Sequence, residues 1–273
     1  MAQFGDPAAR AAQLVVQPRE PDFDRLIGLA EDEGLGIEFV HLAHPAVLTA
    51  QDDASLDQLA AKVKGLAGPL HVHGAFFDLY VHSPDPDVSA IARTRIRQSI
   101  RVAERLGAQL VVFHTNHLPC TTLPEYTDWW LDANAPFWRE VISTSGVTVL
   151  MENMWDDGPH LLSALAGEVP GLDVCLDIGH ANVFGRARLS EWFTTLAGRI
   201  RYIHLSDNDG TADSASPPGD GTVDWQDFTR LAARYAPDAP VMVGVDGGFA
   251  GITEALRRMR KRAIHPFTGG AEQ

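Results

Sequence analysis

A short apolar run followed by a longer helical stretch recurs about eight times along the chain, and this alternation constrains the fold more than any other feature. Eight strand–helix units are what a closed (β/α)₈ barrel requires, and 273 residues suit one such barrel, which runs about 250 residues. The sequence therefore predicts an α/β fold, a (β/α)₈ TIM barrel forming a single domain over residues 1–273. The expected strands are Leu14–Val16, Ile37–Leu42, Leu70–His73, Leu110–His114, Val147–Glu152, Leu172–Asp177, Tyr202–Leu205 and Val241–Val245.

The stretches between these runs carry helical patterns. Val88–Leu106 has the clearest apolar spacing, and Gly107 supplies the stop signal. The other expected helices are Asp22–Glu33, Ser55–Leu66, Trp129–Thr144, Pro159–Ala166, Leu189–Ala197, Asp224–Tyr235 and Ile252–Arg262. An open doubly wound sheet is the competing architecture, but it normally has a glycine-rich turn after its first strand, and Val16–Arg19 contains no glycine.

Charge and composition narrow the class of protein. The formal net charge is −14, which opposes binding to a nucleic-acid backbone. The two cysteines do not form a disulfide framework, and the chain shows neither a signal peptide nor an apolar run long enough to span a bilayer. We therefore expect a cytoplasmic protein that binds neither nucleic acid nor membrane. The oligomeric state is open, and a homo-oligomer is compatible with the sequence.

Several of the apolar runs end on a side chain that can bind a metal. These strand ends are His73, His114, Glu152, Asp177 and His204, with His180 three residues after Asp177. Side chains alternate along a strand, and the C-terminal ends of barrel strands meet at the face that carries the active site. If each terminal side chain points inward, one pocket collects carboxylates and imidazoles from five strands.

This mixture of ligands suits Zn²⁺, Mn²⁺, Fe²⁺ or Co²⁺, whereas a shell of oxygen atoms alone would favour Mg²⁺ or Ca²⁺. Each residue also has an ordinary structural interpretation. His71 fits a hydrogen-bonded core histidine, and Glu152 or Asp177 alone would fit an ion-pair partner. Five ionisable strand ends on one face are difficult to explain by packing, so a metal or acid–base site is favoured.

Six segments resemble the xylose-isomerase-like barrel superfamily, which includes sugar and sugar-phosphate isomerases and epimerases and the apurinic-site endonucleases. The similarity covers nearly the whole chain and is most specific in the order LMEN, LDIGHAN and HLSDNDG. The six segments are 73–79, 97–114, 150–153, 176–182, 203–210 and 218–225.

The resemblance implies roles at matching positions. Glu152, Asp177 and His204 match metal ligands, and His180 matches a residue that binds metal in the endonucleases and contacts substrate in the epimerases. His73 and His114 match ligands that the endonucleases use to hold several zinc ions. Asp213 is a further candidate ligand or substrate contact.

Two departures bear on the metal count and the reaction. Ala215 stands where relatives often have a histidine ligand, and Gly244 stands where they usually have a glutamate that completes the site. The resemblance then implies one divalent ion, Mn²⁺ or Zn²⁺ first, with Co²⁺, Fe²⁺ and Mg²⁺ as alternatives. Asp246 is either a replacement for the missing glutamate or only the cap of the following loop.

The first functional hypothesis is a metal-dependent sugar or sugar-phosphate isomerase or epimerase that acts on a small polyhydroxylated substrate through a metal-stabilised enediolate. Glu152 would be ligand and acid–base, and Asp246 or His180 would handle the second proton. Trp155, Phe77 and Phe184 are expected to wall the pocket or merely to pack in loops, and Arg186 and Arg188 are candidates for binding a phosphate. The alternatives are a related lyase or dehydratase, an apurinic-site endonuclease-like phosphodiesterase, which Ala215 and the net charge oppose, and a non-catalytic paralogue, for which Gly244 is the evidence.

Overall fold

The computed structural model describes residues 13–121, 123 and 125–267, and its strands form one closed parallel barrel in the order β1 to β8. The strands are β1 Leu14–Val16, β2 Gly36–Phe39, β3 Leu70–His73, β4 Leu110–His114, β5 Thr148–Glu152, β6 Asp173–Asp177, β7 Ile200–Leu205 and β8 Val241–Val243. The predicted (β/α)₈ fold is confirmed. The predicted ends of β2 and β8 were too late, because the chain turns out of the sheet after Phe39 and Val243.

Helices connect successive strands. They are α1 Phe23–Glu33, α2 Pro45–Ala50, α3 Asp53–Val63, α4 Pro86–Leu106, α5 Tyr126–Thr144, α6 His160–Glu168, α7 Ile178–Val183, α8 Leu189–Thr195, α9 Trp225–Tyr235 and α10 Gly248–Lys261. The short helices α2 and α7 and a 3₁₀ turn at His41–Ala43 have no counterpart in the sequence prediction. Within the described residues, no helix is both long and apolar enough to cross a membrane.

Local sequence explains why α4 starts and stops where it does. The side chain of Asp85 accepts a hydrogen bond from the backbone N–H of Asp87, and Pro86 occupies the first turn. Gly107 ends the helix at φ 72°, and its backbone N–H donates to the carbonyls of Ala103 and Glu104. The buried face of α4, which includes Ile96, packs into the apolar layer between the helices and the barrel.

A second, smaller apolar cluster fills the inside of the barrel. Its members are Val15, Leu110, Val112, Leu150, Cys175, Tyr202 and Met242, all buried. On four strands the residue two positions further on is a polar strand end, namely His114, Glu152, Asp177 or His204. Because side chains alternate along a strand, the same faces that build the floor also carry these groups into the mouth of the barrel. The expected inward orientation of the strand ends is therefore confirmed.

Candidate metal centre

A cleft of about 210 Å³ opens at the C-terminal ends of the strands, where the active sites of this fold lie. The strand ends His73, His114, Glu152, Asp177 and His204 line it, together with His180 and Asp213. Gln17 and Arg19 reach it from the end of β1, and Phe76 and Met154 from the loops after β3 and β5. Apart from Asp246, all the histidines and carboxylates predicted as ligands thus meet in one cavity.

Glu152 is the centre of the cluster, and its side chain is 1% exposed. Its Oε2 atom lies 3.2 Å from Nε2 of His73 and 3.2 Å from Nε2 of His114. Its Oε1 atom lies 3.0 Å from Nδ1 of His204 and 3.6 Å from Nδ1 of His180. One carboxylate is therefore shared among four imidazoles.

Asp177 divides its two oxygens between structure and site. Its Oδ1 accepts a 2.7 Å hydrogen bond from the backbone N–H of His180, which caps the N-terminus of α7. Its Oδ2 faces the cluster, 3.9 Å from Nδ1 of His204. Asn153 clamps the backbone of Asp177 by accepting from its N–H and donating to its carbonyl, at 2.8 and 2.9 Å.

His180 is held at both ring nitrogens. Its Nδ1 lies 2.9 Å from the carbonyl oxygen of Asn153, and its Nε2 lies 3.4 Å from Oδ2 of Asp213. Asp213 is partly exposed, so this pair lies where the cluster meets the solvent. The ring is therefore fixed with one edge on the mouth of the cleft.

Glu38 on β2 is a carboxylate that the sequence analysis did not single out. It is fully buried, and its Oε2 lies 3.0 Å from Nε2 of His204 while its Oε1 accepts a 3.2 Å hydrogen bond from Gln17. The one signal in the sequence is a lone acid inside the apolar run of β2, Gly-Ile-Glu-Phe. A charge at such a position needs a partner, and this signal could have marked it.

The protonation of the cluster follows from its charges. Burial alone would raise the pKa of Glu152, but His204 and His114 lower it well below its usual value. Burial would lower the pKa of His204, but the neighbouring Cys175, Glu152 and Glu38, in this order, raise it well above its usual value. In the same way Asp177 and Asp213 raise the pKa of His180 to about 10, against the effect of burial. Without a metal, the carboxylates hold protons on His180 and His204 and so favour positive charge between them, whereas at His114 burial outweighs the effect of Glu152 and lowers the pKa to about 4.

This preference for positive charge, together with the nitrogen and oxygen donors, fits a divalent metal ion. Two sets of three residues have ligand atoms that all lie within 4.8 Å of one another, and both include Glu152. One set is His73, Glu152 and His204, and the other is Glu152, Asp177 and His180. Among the described residues the cluster could therefore hold a metal, and the predicted trio of Glu152, Asp177 and His204 is divided between the two sets, since His204 belongs to the first and Asp177 to the second.

The structure does not bring Asp246 to the cluster. Because β8 ends at Val243, Asp246 lies in the turn before α10, with its side chain 72% exposed and 3.9 Å from Arg19. Asp246 is not among the residues that line the cleft, so its position does not fit the expectation that it replaces the missing glutamate. At Gly244 an added Cβ would lie 3.0 Å from Cε of Met242, so this side chain occupies the neighbouring space.

The aromatic side chains predicted to wall the pocket are not the ones that line the cleft. Phe77 is 48% exposed and packs on Phe76, and it is Phe76 that lines the cleft and lies against the rings of His73 and His114, at 5.1 and 4.8 Å between centroids. Trp155 does not line the cleft either, whereas its neighbour Met154 does. In both loops the residue that lines the cleft is the one just before the predicted residue. The loops after β3 and β5 carry no regular sequence pattern, so the direction of their side chains could not be predicted.

The predicted phosphate contacts lie elsewhere as well. Arg188 lines a separate cavity between α8 and α9, and neither Arg188 nor Arg186 lines the cleft that holds the carboxylates and imidazoles. Phe184 lies beside the ring of His180, 6.0 Å between centroids, and is outside the lining of the cleft.

Asp156 links the loop after β4 to the loop after β5 by hydrogen bonds. Its Oδ2 accepts hydrogen bonds from Oγ1 of Thr115, at 2.7 Å, and from the backbone N–H of Met154, at 2.9 Å. Its Oδ1 is buried without a partner, and burial raises the pKa of this carboxyl to about 6. The residue thereby fixes the backbone of Met154 at the wall of the cleft.

The chain is an eight-stranded parallel barrel with carboxylates and imidazoles at its strand ends, and comparison with known families identifies the kind of barrel. The family described as "Xylose isomerase-like TIM barrel" matches residues 29–262. The chain belongs to this family. Among curated proteins, none matches it.

Solved structures with the same architecture were found as well. The TTHB071 protein from Thermus thermophilus, soaked with ZnCl₂, is 25% identical with a TM-score of 0.72, and the match covers 91% of this chain and 97% of that one. A D-tagatose 3-epimerase-like protein is 19% identical with a TM-score of 0.76, covering 92% and 96%. D-Psicose 3-epimerase from Clostridium cellulolyticum H10, solved with D-tagatose, is 16% identical with a TM-score of 0.72, covering 92% and 98%. At the two lower identities the likeness shows a shared fold.

Proposed function

We propose that this protein is a divalent-metal-dependent isomerase or epimerase that moves a proton next to the carbonyl of a small sugar or related polyhydroxylated substrate. The observation that carries the proposal is the buried Glu152 carboxylate at the floor of the cleft, shared among four imidazoles and close to Asp177. The resemblance to structures named as sugar 3-epimerases supports the same reaction class.

The size and lining of the cleft suit a small polar substrate. The cleft has a volume of about 210 Å³ and a lining that includes several polar side chains, which suits a small polar substrate such as a single sugar unit. Gln17 and Arg19 at the end of β1 offer donors for hydroxyl and carbonyl oxygens, and Phe76 offers an apolar wall. Few polar groups fixed around an apolar surface are typical of small-molecule sites.

The side chains divide the proton chemistry between two positions. When bound, a divalent ion supplies Lewis-acid stabilisation of the negative charge that proton removal leaves next to the carbonyl. Glu152 is buried and lines the cleft, and because neighbouring histidines lower its pKa it is ionised and can act as the base. His180 lies at the mouth of the cleft, where Asp177 and Asp213 raise its pKa to about 10 and Asp213 contacts its Nε2 atom, so it is placed to give or receive the second proton.

The test is incubation of the metal-loaded protein with a panel of ketoses and keto-sugars in D₂O. Proton transfer next to the carbonyl introduces deuterium at that carbon, which NMR and mass spectrometry detect, and chelation should abolish it. E152Q should lose the exchange, whereas D246N, an exposed carboxylate outside the cleft, should retain it. If no substrate exchanges a proton for deuterium with Mn²⁺ or Zn²⁺ present, the proposal is wrong. Loss of water from a substrate would instead favour a lyase or dehydratase reaction at the same site.

A second candidate is a zinc phosphodiesterase of the apurinic-site endonuclease kind. The presence of His73 and His114 at Glu152 favours it, because this places donors for more than one ion around one carboxylate. Ala215 and the net charge of −14 oppose it. Zinc near three per chain together with cleavage of abasic duplex DNA would establish it, whereas an intact duplex would remove it.

A further inference from the structure

Glu38 lies one layer below the strand ends that line the cleft. It pairs in register with His71, two residues before His73, and its side chain crosses the interior of the barrel to β7. Strands β1 and β8 separate β2 from β7 in the sheet, so this contact is made through the core and not along the sheet. A carboxylate with no exposed surface has a large desolvation cost unless charged or hydrogen-bonding partners compensate for it.

The hydrogen bonds of Glu38 determine which ring nitrogen of His204 faces the cleft. The carboxylate accepts from Gln17 through Oε1, and Oε2 lies 3.0 Å from Nε2 of His204. An ionised carboxylate can only accept, so Nε2 of His204 must carry a proton. The other ring nitrogen, Nδ1, faces Oε1 of Glu152 at 3.0 Å and Oδ2 of Asp177 at 3.9 Å.

Strand β8, the neighbour of β7, contains no carboxylate that could compete with Glu38 for His204. Gly244 at the end of β8 has no side chain, and an added Cβ would lie 3.7 Å from Oε1 of Gln17, the residue that holds Glu38. Met242 fills the space beside it with a thioether. The carboxylate nearest to His204 from this side of the barrel is therefore the one that arrives from β2.

We propose that Glu38 is a positioning residue for the metal centre, which holds His204 with Nδ1 towards the cleft and supplies negative charge behind the ring where β8 has Gly244. The inference rests on the proposed function only in requiring that the cluster bind a divalent ion. A carboxylate behind a metal-binding imidazole orients the ring and makes it a stronger donor, and loss of such a partner typically weakens metal binding about 10-fold to 100-fold.

The test is the affinity of the full chain for Zn²⁺ and Co²⁺, measured by competition with a coloured chelator. E38Q keeps the shape of the side chain and removes its charge, so we expect about 10-fold to 100-fold weaker binding. E38D keeps the charge but is shorter by one methylene, and we expect it to restore part of the affinity. L110M is the matched control, because it changes a buried side chain of the same interior cluster with little change in volume and takes no part in the hydrogen bonds of Glu38.

A second readout separates positioning from general damage to the fold. The visible spectrum of bound Co²⁺ reports its ligand geometry, and we expect it to change in E38Q and not in L110M, with circular dichroism showing that both are folded. An E38Q affinity within about threefold of wild type and an unchanged spectrum, beside lost binding in E152Q, would overturn the role of Glu38 and leave the proposed function standing. A wild-type chain that binds neither ion would instead overturn the proposed function.

Discussion

The buried carboxyl of Asp156 should make a contribution to the free energy of unfolding that is lost as the pH rises from about 4 to about 6. Burial raises the pKa of this group from 3.8 to about 6 in the folded chain. Between these two values the folded state binds more protons than the unfolded state, so the free energy of unfolding falls as the pH increases. The loss is complete above the folded-state pKa and absent below the unfolded-state value.

The size of the effect follows from the shift. A difference of about 2.2 pKa units corresponds to about 3 kcal/mol at 1.36 kcal/mol per unit. Between pH 4 and pH 7.5, roughly 2.5 kcal/mol of this should appear. D156N removes the titration, and its amide oxygen can still accept from Thr115 and from the backbone of Met154. We therefore expect the stability of D156N relative to wild type to rise by roughly 2.5 kcal/mol across this range, whatever its offset at pH 4.

Urea unfolding at a series of pH values measures this difference. D157N is the matched control, because it removes the same charge at the next position, where the side chain is exposed, and should give a much flatter curve. A difference between D156N and wild type that does not depend on pH would refute the reasoning. It would mean that Asp156 is not desolvated in the folded protein.

Three further predictions concern the centre and the packing around it. G244E should fold, because its Cβ comes closest to the flexible end of Met242 and is at ordinary contact distance from Gln17, and it should bind a divalent metal at least about tenfold more tightly in chelator competition; an unchanged affinity would show that the new carboxylate does not reach the cluster. N153A should lower the free energy of unfolding by about 1–3 kcal/mol in thermal denaturation, because the backbone N–H of Asp177 loses its hydrogen-bond acceptor, while the carbonyl of Asp177 still begins α7; a loss below about 0.5 kcal/mol would contradict this. L165A opens a cavity under a fully buried side chain of α6 and should cost about 2–5 kcal/mol in urea unfolding without altering metal affinity; weaker metal binding would contradict the separation of this core from the site.

The strand-end residues were predictable because two simple rules apply together. Alternation sets the direction of each side chain, and the barrel brings the ends of the strands together. His114 and Glu152 are paired in register, as are Asp177 and His204, so the sequence positions translate directly into neighbours in space. No knowledge of the loops was needed for these residues.

The groups that the sequence analysis missed depend on distances that the pattern does not contain. Glu38 meets His204 across the barrel, 166 residues away in the chain, and the lone acid in β2 indicates that a partner is needed without indicating which one. Asp246 shares the alternation of β8, but the strand ends at Val243, so alternation no longer applies to it. Phe76 and Phe77 are adjacent and chemically identical, and only the path of the loop decides which ring meets the histidines.

The layered interior has an evolutionary consequence. The apolar floor, with Cys175 and Tyr202 among its members, closes the barrel beneath the cleft, while the ionisable groups that meet in the cleft come from the ends of different strands. The end of β8 illustrates the result, since Val241 and Val243 remain fully buried although Gly244 brings no ligand. Mutation can therefore exchange the chemistry one strand at a time while the scaffold is inherited intact, which lets a lineage sample new reactions without first losing its fold.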